Sequence, residues 1–450
     1  MPLCLSFLGH ADHDVLRNHA HYCGLYGYPH RSIESQDIWL PALRNAFKYS
    51  QVLRHLRELP EGDWLLFLDS ASVVMRPVAV ETLLAGRDAL VVQGPPSDAW
   101  PEWAMTGMFV LRNTAANRSL LLDMISDATS VVAHQSDRVD EFARFRSAGV
   151  LPCNAMVAGI YVCVTWRMQN WAHAHVFVVN LAPLPTVGRH GALLRDGWLH
   201  DLRLQNFLVR QVNDALMHAQ PVLRAPAYPA LSDDAFSSYN AQAPIAFVTL
   251  YTHHIAAYAR VSEHNVKRYC DRHGYAYHVY REIPAELDAG ISGNWVKPWL
   301  LQRHLSQHQW VIWIDADMLF VNHARRFDAL LTHRDLLFAK DIADWRVNSG
   351  LLGFRNTPDN VSLLDRMWQR ISDVPDKAAV YSSMGDQYHI NAMLRECGLD
   401  GEREVVDFVS INSSPMLWDA DAFLVHFMGL DEPYRSAYMA DADRQALRVG

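Results

Sequence analysis

QWVIWIDADMLFVN, residues 309–322, is the stretch on which the reading of this chain turns. Trp310 to Ile314 is a short apolar run of β-branched and aromatic residues, the pattern of a strand buried on both faces in a parallel sheet. It ends in two carboxylates one residue apart, Asp315 and Asp317, and apolar residues resume at Met318 to Val321. A carboxylate is costly to bury unless its charge is compensated. Two carboxylates at i and i+2 after a strand favour a metal ion as that compensation. The carboxyl end of a parallel strand is also where open α/β sheets bind ligands. Carboxylate oxygens suit a hard divalent ion, Mg²⁺ or Mn²⁺. Such an ion bridges phosphates and neutralises charge on a leaving diphosphate. The plainer reading of a lone D-x-D is a strand-end cap or a solvated loop pair.

Outward from that stretch, composition sets the bounds. The chain has 450 residues, material for two or three domains, and 50% hydrophobic with 20% charged residues is the profile of a globular protein. A formal net charge of −9 argues against the basic footprint of a nucleic-acid binder. Six cysteines are scattered with no C-x-x-C, which speaks against zinc ribbons and redox motifs and fits a reducing compartment. The start, MPLCLSFLGHADHD, lacks the basic region of a signal peptide. No apolar stretch approaches the roughly 18–20 residues of a membrane span. The longest candidate, Ala155 to Trp166, reads as a core element. The expectation is a cytoplasmic enzyme, with peripheral membrane association left open.

The chain also repeats itself. LCLSFL (3–8) answers IAFVTL (245–250), and HYCGLYGYPH (21–30) answers RYCDRHGYAYH (268–278). AFKYSQVLRHL (46–56) answers WVKPWLLQRHL (295–305), each a lysine leading into an amphipathic helix. DWLLFLDSASVVMRPV (63–78) answers QWVIWIDADMLFVNHA (309–324). MTGMFVLRNTAANRSLLLDM (105–124) answers NSGLLGFRNTPDNVSLLDRM (348–367). Five blocks in one order make the chain two copies of one α/β unit, residues 1–220 and 244–450. Leu199 to Ala219 is expected to close the first copy as a helix. Residues 221–243, rich in Pro, Ala and Ser without apolar period, read as a linker.

Four further constellations stand in the second copy. In LVHFMGL (424–430), His426 is followed closely by Gly429, which permits close backbone approach to a ligand. An imidazole would complete a metal site of two carboxylates and phosphate oxygens and tilt the choice toward Mn²⁺. In NWVKPW (294–299), Pro298 suits a first helical turn and Lys297 just before it suits a phosphate. Asn348-Ser349-Gly350 opens an expected strand and fits a tight turn under a ligand. In MGDQYHINAML (384–394), Asp386 and Gln387 open an amphipathic helix. Each has a bland counterpart: a core histidine, a solvated lysine, a simple turn, an N-cap.

In this order, W-x-K, strand-D-x-D, N-x-G with a downstream Arg-Asn, D-Q and H-F-x-G resemble the retaining GT-A glycosyltransferase family of xyloglucan α-xylosyltransferases and α-galactosyl- and α-mannosyl-transferases. ARVSEHNVKRYCDRHGY (259–275) is similar to the stretch that follows the first strand in that family. The resemblance covers about 244–430. It implies tandem Rossmann-like GT-A domains, a UDP- or GDP-linked sugar donor, a glycan or glycolipid acceptor and Mn²⁺ (or Mg²⁺). It implies Asp315, Asp317 and His426 as metal ligands. Lys297, Asn348, Gly350, Asp386 and Gln387 fall on donor-site positions, with Thr249 near the nucleotide. Asp386 with Gln387 would stabilise an oxocarbenium-like centre, and Trp345 would line the acceptor side.

The first copy departs from this pattern. Asp69-Ser70-Ala71 lacks the second carboxylate, and Met105-Thr106-Gly107 lacks the asparagine. Lys48, Arg112 and Asn113 persist, no D-Q helix is evident, and His190 is the nearest histidine for a third ligand. The first copy is therefore expected to be non-catalytic. A bifunctional enzyme with both copies active is the alternative. A haloacid-dehalogenase-like phosphohydrolase and a nucleotide-sugar-binding scaffold without turnover are the readings from other classes.

Overall fold

The structure is a computed structural model and describes every residue except 10–12, 36–37, 39, 94–103, 134–140, 148–152, 155–159, 163–176, 182–201, 224–226, 289, 343–344, 420, 431, 433 and 450. The chain forms two compact units, Met1–Val222 and Leu223–Gly450.

The first unit contains β1 (Leu3–Leu8), β2 (His30–Glu34), β3 (Trp64–Asp69), β4 (Ser72–Val74), β5 (Ala89–Gln93), β6 (Ala104–Arg112), β7 (Cys153–Asn154), β8 (Ile160–Val162) and β9 (Val178–Asn180). Its main sheet has the order β2-β1-β3-β6-β5-β7, and β4-β9-β8 form a small second sheet. The second unit contains β10 (Phe236–Tyr239), β11 (Ile245–Leu250), β12 (Ala276–Tyr280), β13 (Trp310–Ile314), β14 (Met318–Phe320), β15 (Leu336–Ala339), β16 (Asn348–Arg355), β17 (Val405–Val406) and β18 (Leu424–His426). Its main sheet runs β10-β12-β11-β13-β16-β15-β17, and β14 pairs with β18. Apart from β10, the strand orders of the two main sheets are the same. So are the directions: β1 is parallel to β2 and β3, as β11 is to β12 and β13, while β6 and β16 run antiparallel to both neighbours.

Two local readings are corrected. Residues 221–243, read as a linker, include β10, which pairs antiparallel with β12 from Phe236↔Tyr280 to Tyr239↔Tyr277 and so belongs to the second sheet. Its mixed burial hid it from an apolar-period search. The strand β13 is buried throughout, yet only β11 beside it is parallel; its other neighbour, β16, is antiparallel.

The burial of β13 has a simple cause. Trp295, Leu300, Leu301 and Leu305 cover one sheet face from the segment around the helix Lys297–Leu305, with Leu363, Leu364 and Met367 of the helix Pro358–Ser372 beside them. Toward the other face Phe247 packs among Tyr269, Phe320 and Phe327. Helix Ala256–His273 stops where Gly274 takes a left-handed φ of 72°, and the Tyr275 amide donates to Cys270 O in a C-terminal cap. From that helix Asn265 donates to Phe320 O at 3.0 Å and accepts from Phe320 N at 2.8 Å. It thereby pins β14, which follows the carboxylate pair. In the first unit Asn18 holds Val74 of β4 the same way, at 2.9 and 2.7 Å. Among the described residues no helix is long and apolar enough to cross a membrane.

Candidate active site

Asp315 and Asp317 lie on the tight turn between β13 and β14, closed by Met318 N donating to Asp315 O at 3.2 Å. Across the β14–β18 pair, Met318 stands opposite His426. One ligand atom from each of Asp315, Asp317 and His426 lies within 4.8 Å of the others. Residues far apart in sequence thus converge because β18 returns antiparallel to β14. The His426 side chain is 5% exposed against 14% and 24% for Asp317 and Asp315, so the imidazole is walled in and the carboxylates are partly open.

The imidazole is aimed by its surroundings. Its Nδ1 is 2.8 Å from Asn412 Oδ1, which leaves Nε2 directed at Asp317 Oδ1, 3.0 Å away. A ring nitrogen donating to an oxygen is the usual way a ligating histidine is oriented. Gly350 makes room: a Cβ there would stand 2.5 Å from His426 Cε1 and 2.8 Å from Asn348 Oδ1. Asn348 in turn accepts from Gly350 N at 2.9 Å and donates to Asp341 at 2.7 Å. Gly429, at φ 72°, turns the chain after β18 in a conformation disfavoured for other residues.

Charge is balanced inside the cluster. Lys297, buried, lies 3.0 Å from Asp315 Oδ1 and 3.1 Å from Asp386 Oδ2, and donates to Ser349 O at 3.0 Å. Burial disfavours its charge, but Asp315 and Asp386 outweigh that and raise its pKa. Trp313 Nε1 donates to Asp315 Oδ1 at 2.6 Å, and Arg435 donates to Asp317 Oδ2 at 3.1 Å. Burial opposes the Asp317 charge, yet His426, Arg435 and Lys297 bring its pKa down to about 2. For His426, burial favours the neutral ring, and Asp317 reverses this and raises the pKa.

Asp386 is the second residue of the helix Gly385–Glu396; besides Lys297 it accepts from Asn294 at 3.0 Å, so it is an ion-pair partner and not an N-cap. Gln387 Oε1 accepts from Ser349 N at 3.0 Å. Thr249 is buried on β11, and its hydroxyl has no partner among the described residues. Trp345 stands edge-on to Tyr388, ring centroids 6.0 Å apart. Asn412, Arg435, Asn294 and Trp313 were missed by sequence reasoning. Two carried a local signal: Trp313, two residues from Asp315, and Asn294, which opens NWVKPW three residues before Lys297.

Residues 249–349 match the galactosyl transferase GMA12/MNN10 family. The chain is a glycosyltransferase. No curated protein sequence matches it. Among solved structures it is similar to a glycosyltransferase involved in the glycosylation of the major capsid of PBCV-1, at 18% identity and a TM-score of 0.35, over 43% of this chain and 98% of that one. Mouse xyloside xylosyltransferase 1 is similar at 13% identity and TM-score 0.27, over 42% and 99% of the two chains. The glycosyltransferase GlyE of Streptococcus pneumoniae TIGR4 is similar at 13% identity and TM-score 0.25, over 36% and 45%. Glycosyltransferases of this kind take a nucleotide-sugar donor and often a divalent metal.

The site of the first unit is built differently. Asp69 Oδ1 accepts from Ala71 N at 3.0 Å, so the position of the second carboxylate holds a backbone donor. Burial raises the Asp69 pKa, against the pull of Ser72 and Lys48. The residue across from β4 is Asn180, paired with Ser72 in the register that pairs His426 with Met318. The third-ligand position is thus an asparagine, not His190, which lies outside the described residues. A Cβ on Gly107 would fall on Asn180 Nδ2, as one on Gly350 falls on His426. Lys48 lies 3.3 Å from Glu141, the first residue of the helix Glu141–Ser147. That helix takes the place of the D-Q helix that the sequence did not reveal.

Proposed function

We propose that the second unit transfers a sugar from a UDP- or GDP-linked donor to a hydroxyl of a glycan or glycolipid, with retention, using Mn²⁺ or Mg²⁺ held by Asp315, Asp317 and His426. The observation that carries this reading is the convergence of those three ligands with Lys297 joining Asp315 to Asp386. The donor set fits a hard or borderline divalent ion, and Gly350 leaves the space the imidazole needs. When bound, the ion neutralises charge on the departing diphosphate.

The chain's own residues do the rest. Asn412 holds the His426 ring so that Nε2 faces the carboxylates. Trp313 fixes Asp315, and Arg435 fixes Asp317. Lys297 and Arg435 offer positive charge to the diphosphate as it leaves. Thr249, Asn348, Gly350 and Gly429 belong to the donor side. Asp386, one ammonium removed from the metal ligands and supported by Gln387, stabilises positive charge at the anomeric carbon. Retention proceeds by attack on the leaving-group face or through a covalent intermediate on a carboxylate. The first unit is a non-catalytic GT-A-like copy in this reading. A reducing, cytoplasmic setting is part of this reading; among the described residues Cys4, Cys23, Cys270 and Cys397 are free thiols.

The test is turnover of UDP- and GDP-sugars by the purified chain with and without Mn²⁺, compared with Asp317→Ala. Undiminished Mn²⁺-dependent turnover in the variant overturns the metal assignment.

A further inference from the structure

At the far end of β13 from Asp315, His278 of β12, His304 of the helix Lys297–Leu305 and His308 form a second cluster. All three are buried, and one ring nitrogen from each lies within 4.8 Å of the others. The length of β13, five residues, separates it from the carboxylate pair, roughly 16 Å of strand. No part of the sugar-transfer reading uses it.

Proton accounting defines what the cluster can hold. His308 Nδ1 is 2.7 Å from Ala243 O, a pure acceptor, so Nδ1 carries the proton and Nε2 of the neutral ring is a lone pair. His278 Nε2 is 2.9 Å from that lone pair and donates to it, while His278 Nδ1 accepts from the Ser238 hydroxyl at 2.9 Å. His304 Nε2 is 2.8 Å from the Tyr280 hydroxyl, and His304 Nδ1 is buried with no partner among the described residues. Leaving a buried polar atom unpaired is costly. Moving one proton from Nε2 to Nδ1 of His278, with the Ser238 hydroxyl turning to accept, changes no charge. It leaves a lone pair on His278 Nε2, His308 Nε2 and His304 Nδ1. Each outward nitrogen then donates to an oxygen, of Ser238, Ala243 or Tyr280. That is the support a ligating histidine ordinarily has.

We propose that His278, His304 and His308 form a second metal site in this chain, selective for Zn²⁺ over Mg²⁺ and Mn²⁺. Three neutral imidazoles with no carboxylate suit a borderline cation, with a water as fourth ligand. The charged neighbour facing the cluster is Arg303, and Phe236 of β10 lies against the rings of His278 and His304, at centroid distances of 6.2 and 6.0 Å. The His278 and His304 rings are stacked, 4.0 Å apart and 12° from parallel, so ligation turns His304 out of the stack to bring Nδ1 in line. The ion would tie the edge strand β10, through Ser238, to the sheet and to the turn before β13.

Co²⁺ is the probe, because tetrahedral nitrogen coordination gives intense visible absorption and carboxylate-rich octahedral coordination does not. The full chain carrying Asp317→Asn, which weakens the first site, is titrated with Co²⁺ and then with Zn²⁺. A single saturable equivalent with visible bands, bleached by Zn²⁺ and accompanied by a rise in melting temperature, is expected. Adding His304→Phe should abolish the bands, with circular dichroism checking the fold. Absence of bands in folded Asp317→Asn protein overturns the site without reference to any cluster variant. Bands that survive His304→Phe overturn it equally.

Discussion

After β13 the chain places Asp317 on the turn and His426 across from β14; after β3 it places Ala71 on the turn and Asn180 across from β4. The frames around these positions are alike. Both units pin the following strand with an asparagine from the first helix. Both leave a glycine on the neighbouring strand where a side chain would strike the residue across, and both bury a lysine against a carboxylate of a later helix. Frame and lysine pair therefore belong to the fold. In the proposed reading the capacity for a divalent ion rests on Asp317 and His426, whose counterparts in the first unit are Ala71 and Asn180. Asp69 has no second carboxylate beside it on that turn, and burial raises its pKa.

The sharpest way to break this contrast is to give the second unit the first unit's residue. Asp317→Ala is expected to lower metal-dependent sugar transfer by at least about 100-fold, since a metal ion supplies several kcal/mol to a transition state of this kind. Rates at saturating donor check it. Next comes the glycine pair. Gly350→Ala displaces His426 and is expected to weaken Mn²⁺ binding by about 10–100-fold, read by titration. Gly107→Ala is expected to leave transfer unchanged and to lower only the stability of the first unit. The reverse exchange sharpens the comparison: Ala71→Asp with Asn180→His should add a weak second Mn²⁺ equivalent, counted by paramagnetic resonance.

The smallest effect concerns acid. Burial lowers the pKa of His278 to about 3 and of His304 and His323 to about 4 in the second unit, and of His19 to about 4 in the first. Unfolding returns each ring to about 6.5. Between these values the unfolded chain binds more protons, so stability falls as pH drops from about 6.5 toward 4. His426, raised by Asp317, acts the other way and offsets part of this in the second unit. Amide exchange followed over that range should show the second unit losing protection more steeply than the first.

Much of this was legible in the residues alone. The duplication and the carboxylate pair after a buried strand are readable from local order and spacing, because each sits in elements whose apolar pattern is continuous. His426, Lys297 and Asp386 joined the pair only through the family resemblance, since each taken alone reads as well as a core histidine, a solvated lysine or an N-cap. What only the tertiary structure decided is which distant residues meet. Arg435 and Asn412 complete the cluster of Asp315, Asp317 and His426 from segments with no motif of their own, and strand pairing alone identifies Asn180 as the counterpart of His426. The shape of β10, hidden by a mixed burial pattern, and the meeting of His278, His304 and His308 depend on a β-strand, a helix and a turn packed side by side. A sequence records the chemistry of each residue and its near neighbours; partnership across the sheet is set by register and packing, which no short window of sequence contains.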